Sequence, residues 1–295
     1  MVISAAVVGA LVVVGGAAFL GIRALTANTG PECHVPDSRT AEAAGVDLDA
    51  VQYQHASTIN AVGLERGLPE RARIVALATG LQESSLRNLD HGDRDSLGLF
   101  QQRPSQGWGE PGQIMDPVYA AGKFYDVLVR VTDWQKLSVT EAAQAVQYSG
   151  FPDAYAKWED EATVLAGDLG GEQDPQGSCR AGAQPVTSEA PDRSPVTGAD
   201  GASAELSTVL AALQAELGGV KVISVSDDAR TAILAPAVDG LSPGAAARAA
   251  AAWAVAHATS MGITAASAEG RTWSDHDWRD DPTAPTAGQV TITVG

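Results

Sequence analysis

Residues 80–104 read GLQESSLRNLDHGDRDSLGLFQQRP. Upstream, Ile74, Val75, Leu77, Ala78 and Leu81 recur three and four apart, and Pro69 suits the first turn of a helix. The helix predicted from this spacing carries Glu83 near its end. The chain then turns polar, acidic and glycine-containing, and closes on Phe100 and the amides Gln101 and Gln102. A carboxylate at a helix C-terminus is mildly disfavoured by the macrodipole, so its placement asks for a reason. At 100° per residue, Glu83 lies about 200° around the wheel from Leu81. Its neighbours three, four and seven residues back are Gly80, Thr79 and Ala76. These small residues are expected to leave room for another molecule, while Leu77 and Leu81 hold the opposite face to the core. Burial disfavours the charged form of a carboxyl, so such a position suits a general acid.

Working outward, residues 40–168 read as a small, mostly helical domain. Leu48, Val51, Ile59 and Val62 predict a helix that ends near Gly67. Asp116 with Pro117 is a cap-plus-proline start, and Ser138 with Glu141 forms a capping-box pattern. Pro152 is expected to open a last helix through Tyr155, Trp158 and Val164. The long irregular stretch at 86–115 marks a functional loop. Residues 180–201 read as a linker. Residues 202–295 follow as a small α+β module of helix–strand–strand, twice, with two helices on one sheet face. In it Ser242 and Pro243 open a helix expected to run to Met261, and RTWSDHDWRDD, residues 271–281, reads as an acidic loop between strands.

Bulk properties narrow the function. The 295 residues are 45% hydrophobic with a net charge of −17, of which residues 31–170 carry −10 and residues 171–295 carry −8. Neither segment suits a phosphate backbone, so no nucleic acid is expected as partner. The five histidines are scattered, with no His-x-x-x-His or Cys-x-x-Cys pair, so no metal site or cofactor is expected. Residues 3–22 contain no charge. Twenty helical residues span the roughly 30 Å hydrocarbon core. Residues 1–25 are therefore read as a transmembrane anchor, with a cleaved signal segment as the alternative. Either reading exports the remainder. The first puts a single-pass protein in the cell membrane with its domains outside the cytoplasm; the second secretes it. Cys33 and Cys179 flank the helical segment, and in an exported chain they are expected to pair. Their bridge would close a domain over residues 33–179, worth roughly 3–5 kcal/mol in the chain-entropy model.

ATGLQESSLRN followed by SLGLFQ resembles the lysozyme-like superfamily of lytic transglycosylases and goose-type lysozymes. Glu83 and Ser84 match the Glu-Ser that ends a helix in that family. Gly98, Leu99, Phe100 and Gln101 match its Gly-Leu-Met-Gln stretch, with Phe for Met. The resemblance covers residues 40–168 and implies a multi-domain envelope protein of GC-rich Gram-positive bacteria. It implies peptidoglycan glycan strands as the partner and cleavage of the β-1,4 bond between N-acetylmuramic acid and N-acetylglucosamine. Glu83 would then be the acid, with Gln101 and its neighbour Gln102 in the cleft and Ser84 at the helix end. The family's third motif, Ala-Tyr-Asn-Ala-Gly, is only partly present as AVQYSG, where Gln147 and Tyr148 stand in reverse order. GDR before the second motif is similar to goose-type lysozymes and makes Asp93 the candidate second carboxylate for water activation. Trp108 offers an apolar plane to a sugar face. A binding protein of the same fold that does not cut glycan is the alternative. The partner of residues 202–295 is not legible.

Overall fold

The computed structural model describes residues 32–39, 44–151, 153–180 and 199–295. Its helices begin where local chemistry dictates. In α1 (Ala50–Glu65) the Asp49 carboxylate accepts from the Gln52 amide, and the Gln52 side chain returns the contact to Asp49. α2 (Glu70–Ser84) starts directly after Pro69. The 86–115 loop holds a 3-10 turn, Pro104–Gln106, and a short α-helix, α3 (Pro111–Ile114), and Asp116 caps α4 (Pro117–Leu128). The Ser138–Glu141 capping box starts α5 (Val139–Gln147). Pro152 lies outside the described residues, and α6 (Glu159–Gly170) begins only after a 3-10 turn, Ala156–Trp158. Further on, α7 (Ala204–Leu217) runs from Ser203 to Gly218. The helix expected from Ser242 to Met261 breaks at His257 into α8 (Pro243–Ala256) and α9 (Ala258–Met261).

Two antiparallel sheets accompany these nine helices among the described residues. The first has the order β2-β1-β3, from β1 (Glu32–Val35), β2 (Val46–Asp49) and β3 (Ser178–Cys179). Cys33 and Cys179 face each other across β1 and β3 and are disulfide-bonded. The bond is compatible with an oxidising, extracytoplasmic compartment. The second sheet has six strands, β4 (Val220–Val225), β5 (Thr231–Pro236), β6 (Ile263–Ala268), β7 (Arg271–Ser274), β8 (Asp277–Asp280) and β9 (Val290–Val294), in the order β4-β5-β9-β6-β7-β8.

The expected multi-domain architecture, a mostly α lysozyme-like domain followed by a separate α+β module, is corrected here. The described residues from Glu32 to Gly295 form one compact unit with a continuous core. Residues 56–64 of α1 are buried without interruption, the pattern of a helix surrounded by protein. α1 packs on α2, α4 and α6 from its own half and on α7 and α8 from the other. The alanines of α8 permit the close approach. A Cβ on Gly171 would lie 2.1 Å from the Ala245 carbonyl oxygen, and Arg248 Nε donates to the Gly171 carbonyl at 2.9 Å. Leu48, expected in a helix, lies in β2, because its partner strand β1 comes from outside the predicted helical segment.

The six-stranded sheet also exceeds the four strands expected. Residues 271–281 are not an acidic loop: β7 and β8 form a hairpin around Asp275 and His276, with φ of 50° and 66°. Two left-handed residues suit the twist of a two-residue hairpin, but glycine, the usual sign of such a turn, is absent. Trp273 and Trp278 are buried, donating to Ser178 Oγ and the Gly177 carbonyl. The predicted anchor at residues 1–25 lies outside the described residues. Among those described, no helix is long and apolar enough to cross a membrane.

Candidate functional site

The end of α2 is built by two left-handed residues, Ser85 (φ 53°) and Leu86 (φ 57°), and Leu86 N donates back to the Gly80 carbonyl at 3.0 Å. This closes the helix as a glycine would at some conformational cost, since neither residue is glycine. Buried Leu86 holds the turn in place. The small-residue face of α2 is not an opening. Ala76 and Thr79 are fully buried, and a Cβ on Gly80 would meet Leu86 and Ile59 at 3.0 and 3.2 Å. Small side chains here serve close packing, and access to Glu83 comes from the helix end instead.

Glu83 is half-buried. Its Oε1 accepts a 2.7 Å hydrogen bond from the hydroxyl of Tyr155, which is itself fully buried. Burial, and then the adjacent Glu83 carboxylate, push the Tyr155 hydroxyl well above its ordinary range. Tyr155 therefore stays protonated and remains a donor. Among the described residues Oε2 of Glu83 makes no hydrogen bond, which leaves it for a ligand. On the same turn of α2, Gln82 Oε1 accepts from Trp158 Nε1 at 2.9 Å. The segment before α6 is thus clamped to the end of α2 at two points.

The 98–101 stretch is the turn of a minimal hairpin, closed by reciprocal 2.9 Å bonds between Leu97 and Gln102. Gly98 is required there: its φ is 77°, and a Cβ would lie 2.7 Å from the Ile114 carbonyl oxygen. Leu99 and Phe100 are fully buried, and Phe100 stacks on Phe124 with ring centroids 4.8 Å apart. Two side chains grip adjacent peptide units of this turn. Ser84 Oγ donates to the Leu99 carbonyl at 2.8 Å, and Gln147 Nε2 donates to the Phe100 carbonyl at 2.8 Å. Gln101 adopts φ 49°, and its amide points back to the His91 and Gly98 carbonyls at 3.3 Å. The two motifs that carry the resemblance are therefore in contact.

Comparison with protein-family models and with curated proteins gives no match. The site stands on its own geometry.

Other predicted residues fall elsewhere. Gln102 is 1% exposed, and its amide bonds the Ala120 carbonyl at 3.1 Å, so its work is structural. The Asp93 side chain is 91% exposed and lies 3.9 Å from Arg94; no bond links it to Glu83. Asp90 pairs with His91. Asp95 is engaged by the Ser105 amide and by Arg103 at 2.8 Å each, and Ser105 and Arg103 hold its carboxyl well below the usual range. Trp108, Gln147 and Tyr148 line one groove of about 330 Å³, which does not include Glu83. Tyr155, the direct partner of Glu83, carried no sequence signal. It stands 72 positions away, in a segment whose spacing reads as an ordinary amphipathic helix.

Proposed function

We propose that this protein acts on the glycan strands of peptidoglycan, with Glu83 as the proton donor that cleaves the β-1,4 bond between N-acetylmuramic acid and N-acetylglucosamine. The observation that carries the reading is the half-buried Glu83 carboxylate, one oxygen held by the Tyr155 hydroxyl and the other unbonded, against the Ser84-anchored 98–101 turn. Glu83 gives its proton to the bridging oxygen as the bond from the muramoyl C1 breaks. The muramoyl 6-hydroxyl then attacks C1, and Glu83 takes back that hydroxyl's proton. Atoms balance without water, and the product carries a 1,6-anhydro end. Internal attack is preferred over hydrolysis because Asp93, the candidate base for water, stands in solvent beside Arg94. Tyr155 orients the carboxylate, and Ser84 keeps the helix end and the turn in register.

Glu83→Gln tests the reading. Release of soluble fragments from purified sacculi is expected to fall by roughly 10²–10⁴-fold, with thermal unfolding unchanged. Full release by this variant overturns the assignment. Mass analysis of the products separates the anhydro end from a reducing end, which differ by one water. A second reading, a glycan-binding protein that does not cut, draws on the same exposure of Asp93, which leaves one carboxylate in the assembled site. Sacculus binding without released fragments, at several pH values, decides for it.

A further inference from the structure

The groove beside the 98–101 turn has a character opposite to that of the chain. The protein carries −17 overall, yet Lys123 and Arg130 both line this groove, and neither makes an ion pair among the described residues. The one groove carboxylate, Asp126, is engaged by Arg66 at 2.8 Å. Trp108 forms an aromatic wall. Its carbonyl accepts from the Tyr119 hydroxyl at 3.2 Å, and Lys123 Nζ rests 5.4 Å from the centre of the Tyr119 ring. A Cβ on Gly109 would lie 2.4 Å from that hydroxyl, so the wall needs glycine at this point. Tyr148 also lines the groove, 84% exposed in a left-handed conformation (φ 51°) at the end of α5.

The groove also carries exposed apolar surface, at Tyr148. Of the four large hydrophobic residues exposed among those described, Tyr148 lines the groove, Val129 adjoins Arg130 and Phe151 follows Tyr148 by three positions. The fourth, Ile223, lies in β4. The groove is tied to the catalytic end of α2 through the turn: its Gln147 holds the Phe100 carbonyl, one peptide unit from the Leu99 carbonyl held by Ser84.

We infer that this groove binds the acidic peptide stem of the substrate, with Lys123 and Arg130 receiving stem carboxylates and Trp108 and Tyr148 covering its apolar side chains. The inference rests on the peptidoglycan reading and deepens it. The uncharged amino sugars of the strand offer nothing to two unpaired cations, and the charge of peptidoglycan sits on its peptides. An unpaired cation pair flanked by aromatic surface fits a ligand that is anionic and partly apolar. Ion pairs at this half-open site steer and select more than they hold.

The test is titration of the full-length chain carrying Glu83→Gln with three probes: a GlcNAc–MurNAc disaccharide bearing a tetrapeptide, the same disaccharide with its lactyl carboxylate capped as the neutral methylamide in place of the peptide, and a short glycerol-phosphate oligomer. The peptide-bearing probe is expected to bind about tenfold more tightly than the peptide-free one. Lys123→Gln with Arg130→Gln should erase that preference, as should high salt. Arg130→Glu alone, at an exposed position where folding is not at stake, should reverse much of it. Equal affinity for the two disaccharides, preference for glycerol phosphate, or a preference untouched by Arg130→Glu overturns the inference. Failure of the catalytic reading shows separately, as sacculus cleavage that survives Glu83→Gln.

Discussion

Glu83 and Glu216 each stand near the C-terminal end of a helix, and each accepts a hydrogen bond from a buried aromatic side chain. Glu83, at the end of α2, receives the Tyr155 hydroxyl at 2.7 Å. Glu216, at the end of α7, receives Trp253 Nε1 at 2.8 Å. They differ in enclosure. Glu216 is 4% exposed and sealed where α7 and α8 meet α1, with His257 Nε2 3.6 Å away. Burial raises the Glu216 carboxyl, but His257, Trp253 and Thr58 outweigh it, and the group sits below its ordinary range. Glu83 is half-buried beside an irregular loop. A helix-end carboxylate with an aromatic donor is thus not by itself a reactive site. Access and an unbonded oxygen separate the proposed acid from a structural one.

This contrast can be broken or sharpened experimentally. The largest expected effect, on the core behind both glutamates, follows loss of the disulfide, whose partners are 146 residues apart. Replacing both cysteines by serine should lower unfolding free energy by roughly 5 kcal/mol in the chain-entropy model, read by urea unfolding. Next, Glu216→Ala should cost about 3 kcal/mol, because it strands buried polar partners, while cleavage per folded molecule is unchanged. A Glu216 variant that unfolds normally but loses cleavage would invert the contrast. Tyr155→Phe removes a single bond and should cost about 1 kcal/mol of stability. It should also slow cleavage while leaving sacculus binding near wild type.

The smallest effect concerns His55, whose ring donates to the Leu86 carbonyl at 2.7 Å. Burial is the main cause lowering its pKa, with the neighbouring His257 adding to it. The unfolded chain therefore takes up the proton first as pH falls below about 6.5, and folding stability declines there. Buried Asp168, raised chiefly by burial, pulls the other way, because its folded form gains relative stability as pH falls. The readout is therefore the difference between His55→Gln and wild type from pH 7 to 5. The variant should lose less stability over that interval; an identical slope rejects the assignment.

Local features of the structure were legible in advance. The Asp116–Pro117 start, the Ser138–Glu141 box and the Ser242–Pro243 helix start all match sequence signals. So did the Cys33–Cys179 pairing, because only two cysteines exist. The three-stranded sheet was not legible, since β1 and β3 are short and their pairing spans most of the helical segment. The β7–β8 hairpin was hidden by a turn of aspartate and histidine. At the candidate site, Glu83, Ser84 and the 98–101 turn were visible as motifs. The burial of Gln102 and the exposure of Asp93 were not, because neighbouring loop residues share composition and differ only in what packs over them.

By itself, the sequence determined several helix starts, four of the nine described strands and one redox-compatible crosslink, because caps, turns and periodicity act over a few residues. Only the tertiary structure decided that the described residues share one core, that Tyr155 meets Glu83, and that two cations make no ion pair among the described residues in a groove of an acidic protein. Those outcomes depend on side chains far apart in the chain competing for the same buried space and the same hydrogen bonds, and no short window of residues contains that competition.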